Sequence, residues 1–337
     1  MNIRVKTALM AVLVAVAGCN SDNGGKAAPN NKAILDAPPF AGVSDSIRRY
    51  PDNLSLYLRR ADLLTQQAQY VLAYRDLSKV WDKSPTEALG VQLVNNLFLQ
   101  GKSDEAMKKL QALQQQFPES LLLKRRMGEA LLLNGQYDQA IAAYDTIIAN
   151  DPNDFEAYYE RATLHLNKAD TAAAITDLEK SFSLQPTQLA AISLANLYAE
   201  KKNPRAVALA DEVIGRDSAG ELIDPVYIKG IYYANTGQSA KALEAFNQCI
   251  RMDWKFQEAY IEKGIIYFGQ KNLDEALQQF KLAATVTNTF ADAYFWQGRC
   301  YEALGKKEDA IANYVRAYAL DKEFTEARER AEKLGGK

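Results

Sequence analysis

LLLKRRMGEALLLNGQYDQAIAAYDTIIANDP, residues 121–152, decides the fold. Its apolar residues recur at helical spacing on both sides of the turn Asn134-Gly135-Gln136, so it reads as two amphipathic helices. Gly135 suits the position just past a helix, where the backbone takes positive φ. In the second helix Ala140, Tyr144 and Ile147 fall at i, i+4 and i+7 and share one face. Gly128 and Ala140 are small enough to let the two helices approach closely, and Pro152 stops the second one.

The unit recurs. Pro51, Pro85, Pro118, Pro152 and Pro186 are spaced by about 34 residues, and a fixed helix–turn–helix period of about 34 residues signals a solenoid. Eight full repeats follow a short leading helix: 54–87, 88–120, 121–154, 155–188, 189–222, 223–256, 257–290 and 291–324. Each has a helix A and a helix B. The helix-B alanine recurs as Ala73, Ala106, Ala140, Ala174, Ala206, Ala242, Ala276 and Ala310. Four residues later stand Leu77, Leu110, Tyr144, Leu178, Ala210, Phe246, Phe280 and Tyr314. The small helix-A position is Ala61, Gly128, Ala162, Gly230, Gly264 and Gly298 in six of the repeats. This pattern resembles the tetratricopeptide repeat (TPR). The resemblance implies an all-α fold, a right-handed TPR solenoid whose helix-A faces line a concave surface. Residues 325–337 close the array as a polar capping helix, with Ala327, Ala331 and Leu334 on one face.

Two repeats depart from the pattern. The second is one residue short, a loss placed in its helix A. The fifth has Lys202-Asn203-Pro204 at its turn, the small Ala210 in helix B, and a polar Gly215–Asp224 stretch without a closing proline. Looser packing is expected there, a seam that reads equally as a hinge or as sequence drift.

The N-terminus carries an address. Met1–Lys6 is short and positive, and Ala8–Ala17 is an apolar run. The run is too short for a membrane span of about 20 residues and right for a signal peptide over 1–18. Val16-Ala17-Gly18-Cys19 resembles the lipobox of bacterial lipoproteins. That resemblance implies cleavage before Cys19 and lipidation of Cys19, and Asn20 after it favours the outer membrane. Residues 19–43 are rich in Gly, Pro, Asn and Ala and read as a flexible tether. Ser44 is the expected N-cap of the short helix that ends at Pro51.

Composition limits the function. Lys and Arg number 40 against 42 Asp and Glu, a net charge of −2, and neither half is basic, which argues against nucleic acid. One histidine and three cysteines leave little for a metal site. His165 has no second ligand at suitable spacing. Cys249 and Cys300 fall on helices two repeats apart, which disfavours a disulfide. No P-loop, dinucleotide fingerprint or GxSxG occurs, so no cofactor, metal or enzymatic activity is expected.

The binding chemistry is expected on helix A. Three rows run through the last three repeats: Tyr227, Ile261, Phe295; Ile231, Ile265, Arg299; Ala234, Phe268, Glu302. Arg125 and Tyr159 continue the first row toward the N-terminus. Tyr227, Ile261, Ile265, Phe268 and Phe295 are expected to form one exposed apolar patch, and aromatics beside arginine suit an interface. The Lys/Asn/Arg clamp by which some TPR modules hold a C-terminal carboxylate is not matched, since Glu129 and Thr163 stand where it needs asparagine. The reading is a lipid-anchored scaffold of the outer membrane that holds envelope proteins or peptides in its groove. The alternative is a surface lipoprotein that handles extracellular polysaccharide.

Overall fold

The computed structural model describes residues 31–335. Among them every regular element is a helix. They fall into two compact units that divide between Asp177 and Leu178. The signal-peptide segment, Cys19 and the first part of the tether lie outside the described residues.

In the first unit, α1 (Asn31–Leu35) and α2 (Ala41–Arg49) precede four repeats. Their A helices are α3 (Leu54–Gln66), α5 (Glu87–Leu99), α7 (Leu121–Leu133) and α9 (Phe155–Asn167). Their B helices are α4 (Tyr70–Trp81), α6 (Ser103–Gln116), α8 (Tyr137–Asn150) and α10 (Thr171–Leu184). The unit boundary falls inside α10. In the second unit, α11 (Gln188–Glu200), α13 (Ile223–Asn235), α15 (Gln257–Gly269) and α17 (Ala291–Ala303) are the A helices. They pair with α12 (Arg205–Arg216), α14 (Ser239–Met252), α16 (Leu273–Val286) and α18 (Lys307–Leu320). The closing helix is α19 (Thr325–Lys333), which buries Ala327 and Ala331.

Every A helix stops in the same way. Ala68, Gly101, Gly135, Ala169, Lys202, Gly237, Lys271 and Gly305 all have positive φ, between 54° and 75°. At Gly135 the amide donates to the Leu132 carbonyl at 3.0 Å, and the Gln136 amide to that of Leu131 at 2.8 Å. These two bonds are the Schellman closure, and they satisfy carbonyls the helix end would otherwise leave unpaired. The same pair recurs at Lys202 and Asn203. The fifth turn is therefore like the others despite its unusual sequence. Alanine and lysine hold the left-handed conformation without glycine, at a cost of roughly 1–2 kcal/mol each.

The pairing of A with B is a fit of glycine to aromatic. A Cβ on Gly128 would stand 2.6 Å from the Tyr144 ring, and one on Gly298 would stand 2.7 Å from Tyr314. Gly230 meets Phe246 and Gly264 meets Phe280 in the same manner. Where the B-helix residue is smaller, the A-helix residue grows. Val94 clusters with Leu110, and Ala61 with Leu77.

Four expectations need correction. First, residues 31–43 are not an unstructured tether: they hold α1 and the start of α2, with Phe40 and Val43 buried. Second, Ser44 does not cap a helix. It is buried inside α2, and its Oγ accepts from Arg60 Nη1 at 3.1 Å. Third, the second repeat keeps a full 13-residue A helix, while B helix α4 of the first repeat has 12 residues against 14 in α6. Fourth, the fifth repeat is not loosely packed. Eight residues of α11 are buried, among them Ala190, Ala191, Ala195 and Ala199, because small side chains let neighbouring helices close in. The polar stretch after it is ordered by Asp217, whose carboxylate accepts from the amides of Leu222, Gly220 and Ala219. Those bonds, that from Leu222 foremost, hold the Asp217 carboxyl below the usual carboxylate range.

Replacing Gly264 by alanine should destabilise the chain by about 1–3 kcal/mol, because the new methyl enters the Phe280 ring. Adding Phe280→Leu should recover part of that loss by reproducing the alanine–leucine match seen at Ala61 and Leu77. Urea unfolding midpoints of the two single variants and the double variant test the coupling, and simple additivity would refute it.

Candidate partner-binding face

The three helix-A rows of the second unit lie at different depths. Counting from the first residue of each A helix, Tyr227, Ile261 and Phe295 occupy position five. Ile261 and Phe295 are buried, at 7% and 4% exposure, and the Tyr227 ring lies 5.6 Å from Phe246 and 5.2 Å from Phe256. Position nine holds Ile231, buried, and Ile265 and Arg299, both half-buried. Position twelve holds Ala234, Phe268 and Glu302, all half-buried. The expected exposed patch is therefore corrected: Tyr227, Ile231, Ile261 and Phe295 pack inside, and Ile265, Phe268 and Arg299 reach the surface.

The cause of this burial is a second aromatic ladder that the sequence reading missed. Phe256, Phe290 and Phe324 are the N-cap residues of α15, α17 and α19. Each comes 29 residues after a position-five residue. Phe324 folds over Phe295 at 4.6 Å between ring centres, as Phe256 does over Tyr227, and Phe290 packs into the cluster that contains Ile261. The signal was available as phenylalanine at a spacing of 34.

The first unit makes the same joint with charge. Arg125 holds position five of α7, and 29 residues later Asp154 is the N-cap of α9. Arg125 Nη2 donates to Asp154 Oδ2 at 2.6 Å, and Nη1 donates to the Glu160 carboxylate. The expectation that Arg125 faces a partner is corrected, because its guanidinium already ties one repeat to the next. Tyr159 is half-buried and already makes an internal contact. Buried arginine–aspartate pairs also brace individual repeats. Arg60 Nε and Nη2 donate to Asp76 at 2.6 and 2.8 Å. Arg161 does the same to Asp177 at 2.8 and 2.6 Å, and reaches Asp145 at 2.7 Å. Their spacing of 16 residues was legible and went unread.

Two glutamates sit at position six of their A helices, inside these joints. Burial pushes the Glu160 carboxyl up to about 7 against the pull of Arg125. Burial likewise pushes Glu262 up to about 7, with the Tyr227 hydroxyl donating to it and Asp292 adding repulsion. The thiols of Cys249 and Cys300 are free, buried and pushed up to about 12 by burial, so both stay protonated at neutral pH. His165 Nε2 lies 3.7 Å from Asp177 Oδ2. Among the described residues no cluster of side chains could hold a metal, and no helix is long and apolar enough to cross a membrane.

At the surface, Arg299 is the distinctive group. Its guanidinium lies 5.3 Å from the Trp296 ring, 5.4 Å from Phe268 and 5.9 Å from Phe295. Among the described residues no acid pairs with it. Nearby Glu302 is already engaged by Tyr314 Oη at 2.5 Å and Arg330 Nη1 at 3.2 Å. Three rings fix the Arg299 side chain, and its N–H donors remain available to an incoming carboxylate.

Family models described as tetratricopeptide repeat match residues 97–162, 155–188, 229–289 and 291–324. The chain is a tetratricopeptide repeat protein. Over 154 residues it is 26% identical to cellulose synthase operon protein C of Pseudomonas fluorescens (strain SBW25), covering 45% of this chain and 12% of that relative. Over 80 residues it is 34% identical to ER membrane protein complex subunit 2 of Xenopus tropicalis, covering 24% of this chain and 27% of that one. The match thus spans well under half the length of each relative. Its fold is similar to that of PilW, a widely conserved type IV pilus biogenesis factor, with a TM-score of 0.53 at 17% identity, over 64% of this TPR chain and 98% of PilW. The APC/C hetero-tetramer Cut9-Hcn1 is similar at a TM-score of 0.53 and 14% identity, over 88% and 59% of the two chains.

The Glu262 carboxyl predicts a pH dependence. Its folded value of about 7 lies above the ordinary carboxylate value near 4.5. Its contribution to stability is thus full below about pH 4.5 and is lost as pH rises through about 7. Glu262→Gln should raise the melting temperature at pH 8 and narrow the difference between pH 5 and pH 8, by an amount on the order of 2–3 kcal/mol. Parallel curves for the two proteins across that range would show that Glu262 does not titrate in this window.

Proposed function

We propose that this TPR chain is an envelope scaffold. Lipid on Cys19 holds it at the outer membrane, and it binds protein partners on the helix-A face of its second unit. TPR proteins are protein–protein interaction scaffolds, so the finer claims are the anchor, the compartment and the face. The observation that carries the face is Arg299, fixed over three aromatic rings with no acid partner among the described residues. With Ile265 and Phe268 beside it, the surface suits an apolar segment bearing an acidic group: the rings supply contact area and the guanidinium supplies charge-assisted hydrogen bonds. Support for the anchor is the lipobox-like Val16–Cys19 directly after an apolar run. More than one acyl chain gives stable attachment where a single chain is marginal.

A second reading places the scaffold in extracellular polysaccharide handling. It is favoured by the likeness to cellulose synthase operon protein C over nearly half of this chain. Protease treatment of intact cells separates the two. Resistance of the array supports the inward-facing scaffold, and cleavage supports display at the surface.

Replacing Phe268 and Arg299 together by alanine should cut partner capture from crosslinked native membranes several-fold, as loss of interface anchors does. Glu308→Ala on an exposed turn is the control. Equal capture by a folded double variant would remove this face from consideration. Separately, Cys19→Ser should move the protein from the membrane fraction to the soluble one. Retention on membranes after a salt wash would show that lipid is not the anchor.

A further inference from the structure

A cleft of about 450 Å³ opens in the first unit between α3 and α5, with Ala61 and Leu77 at its floor. Its walls carry Asp62, Thr65 and Gln66 from α3 and Gln92, Asn95 and Asn96 from α5. Asn96 is out of character for its place. It holds position ten of its A helix, where α7, α9, α11 and α17 bury Ala130, Leu164, Leu197 and Cys300. Asn96 is buried as deeply, at 2% exposure. Its Oδ1 accepts from Gln100 Nε2 at 2.8 Å, while its Nδ2 has no hydrogen-bond partner. A buried donor left unmade is a standing cost, and leucine would remove it, as the fourth and fifth repeats show. The other five polar side chains of the cleft make no hydrogen bond or ion pair among the described residues, although each stands on an ordered helix.

The chemistry of the lining narrows what could fill it. No cation lines the cleft, and Asp62 is its one charged group, so an anion is disfavoured and a cation is welcome. Four side chains are carboxamides. Each presents a donor and an acceptor side by side, the complement of the C=O and N–H of a peptide unit. No aromatic ring lines the cleft, so a stacking platform for a sugar is missing.

We infer that the cleft between α3 and α5 binds an extended peptide segment carrying a lysine or arginine. The carboxamides of Gln66, Gln92, Asn95 and Asn96 pair with its backbone, and Asp62 takes its cationic side chain. This rests on the reading of the chain as a scaffold for protein partners, and it adds a polar, cation-selective site in a different unit from the Arg299 face. The two sites favour opposite charges, so one partner segment would not suit both.

The test titrates the full chain, labelled with nitrogen-15, with a blocked nonapeptide of three serine–lysine–valine triads. A glutamate counterpart and cellohexaose serve as comparison probes, and the readout is the side-chain amide resonances of Gln92, Asn95 and Asn96. The expected result is that the lysine peptide shifts these resonances at millimolar concentration or below, and that the other two probes do not. Asp62→Asn should weaken the lysine peptide several-fold. Asn96→Leu should abolish its binding while raising the melting temperature. Asn95→Ala, at an exposed position, should weaken binding with the fold untouched, which guards against an Asn96 variant that repacks. Absence of any shift, or unchanged binding by Asn96→Leu and Asn95→Ala, would mean that only water occupies the cleft and would overturn the proposal. Shifts from cellohexaose alone would overturn it in favour of a glycan. Loss of capture through Phe268 and Arg299 with no peptide response here would sink this site and leave the scaffold reading standing.

Discussion

The pairing of helix A with helix B depends on the absence of a single carbon atom. At Gly128, Gly230, Gly264 and Gly298 the ring of the partner helix occupies the space a Cβ would need. Glycine in a helix interior costs about 1 kcal/mol relative to alanine, so the position is retained for the ring it admits. A buried tyrosine or phenylalanine brings far more apolar area into the core than the glycine loses. The exchange recurs from repeat to repeat, and the partner shrinks when the glycine is replaced. Volume across the joint is thus conserved while the residues change, as a close-packed interior requires.

A second constraint joins one repeat to the next, and it has two chemical solutions. In the first unit, Arg125 reaches an N-cap aspartate 29 residues on. In the second, Tyr227 and Phe295 reach N-cap phenylalanines at the same interval. The aspartate also caps its helix by accepting from the Ala157 amide, whereas phenylalanine cannot cap. The second unit therefore gives up N-terminal hydrogen bonds at α15, α17 and α19 and gains aromatic packing instead. The same joints bury Glu160 and Glu262 and raise their carboxyl values, so protonation is coupled to the seam between repeats.

This explains which parts of the molecule were legible in the sequence. The repeats, their turns, the glycine–ring pairs and the capping helix follow from residues that recur at a fixed spacing and meet neighbours close in sequence. The depth of the helix-A rows does not follow, because it depends on a residue in the next repeat. Ile261 and Phe295 read as exposed until Phe290 and Phe324 are placed over them. Arg125 read as an interface residue until Asp154 and Glu160 were seen to hold it. The fifth repeat read as loose from its small residues, yet α11 is deeply buried because those same residues admit close neighbours. Helical structure near Phe40 was missed because Pro38 and Pro39 suggest a linker, while Phe40 and Val43 supply enough apolar contact to dock the segment.

Once packing has claimed positions five, eight and ten of helix A, few side chains remain to distinguish one partner from another. Positions nine and twelve reach the surface in the second unit, and there Arg299 stands on its three rings. In the first unit Asn96 breaks the rule that position ten is apolar, and its cost to the fold is the kind of local conflict that functional sites carry. Neither residue improves the stability of the array as an apolar substitute would. Arg299 leaves a cation on an aromatic surface without an acid, and Asn96 leaves an amide donor in a core without an acceptor. Each supplies what a solenoid of identical repeats lacks, a hydrogen-bonding direction at one point along an otherwise repetitive face. Since one group is a cation and the other lies beside Asp62, the two units present opposite charge preferences on a chain whose net charge is only −2. Selectivity in such an array comes from these local departures from the repeat.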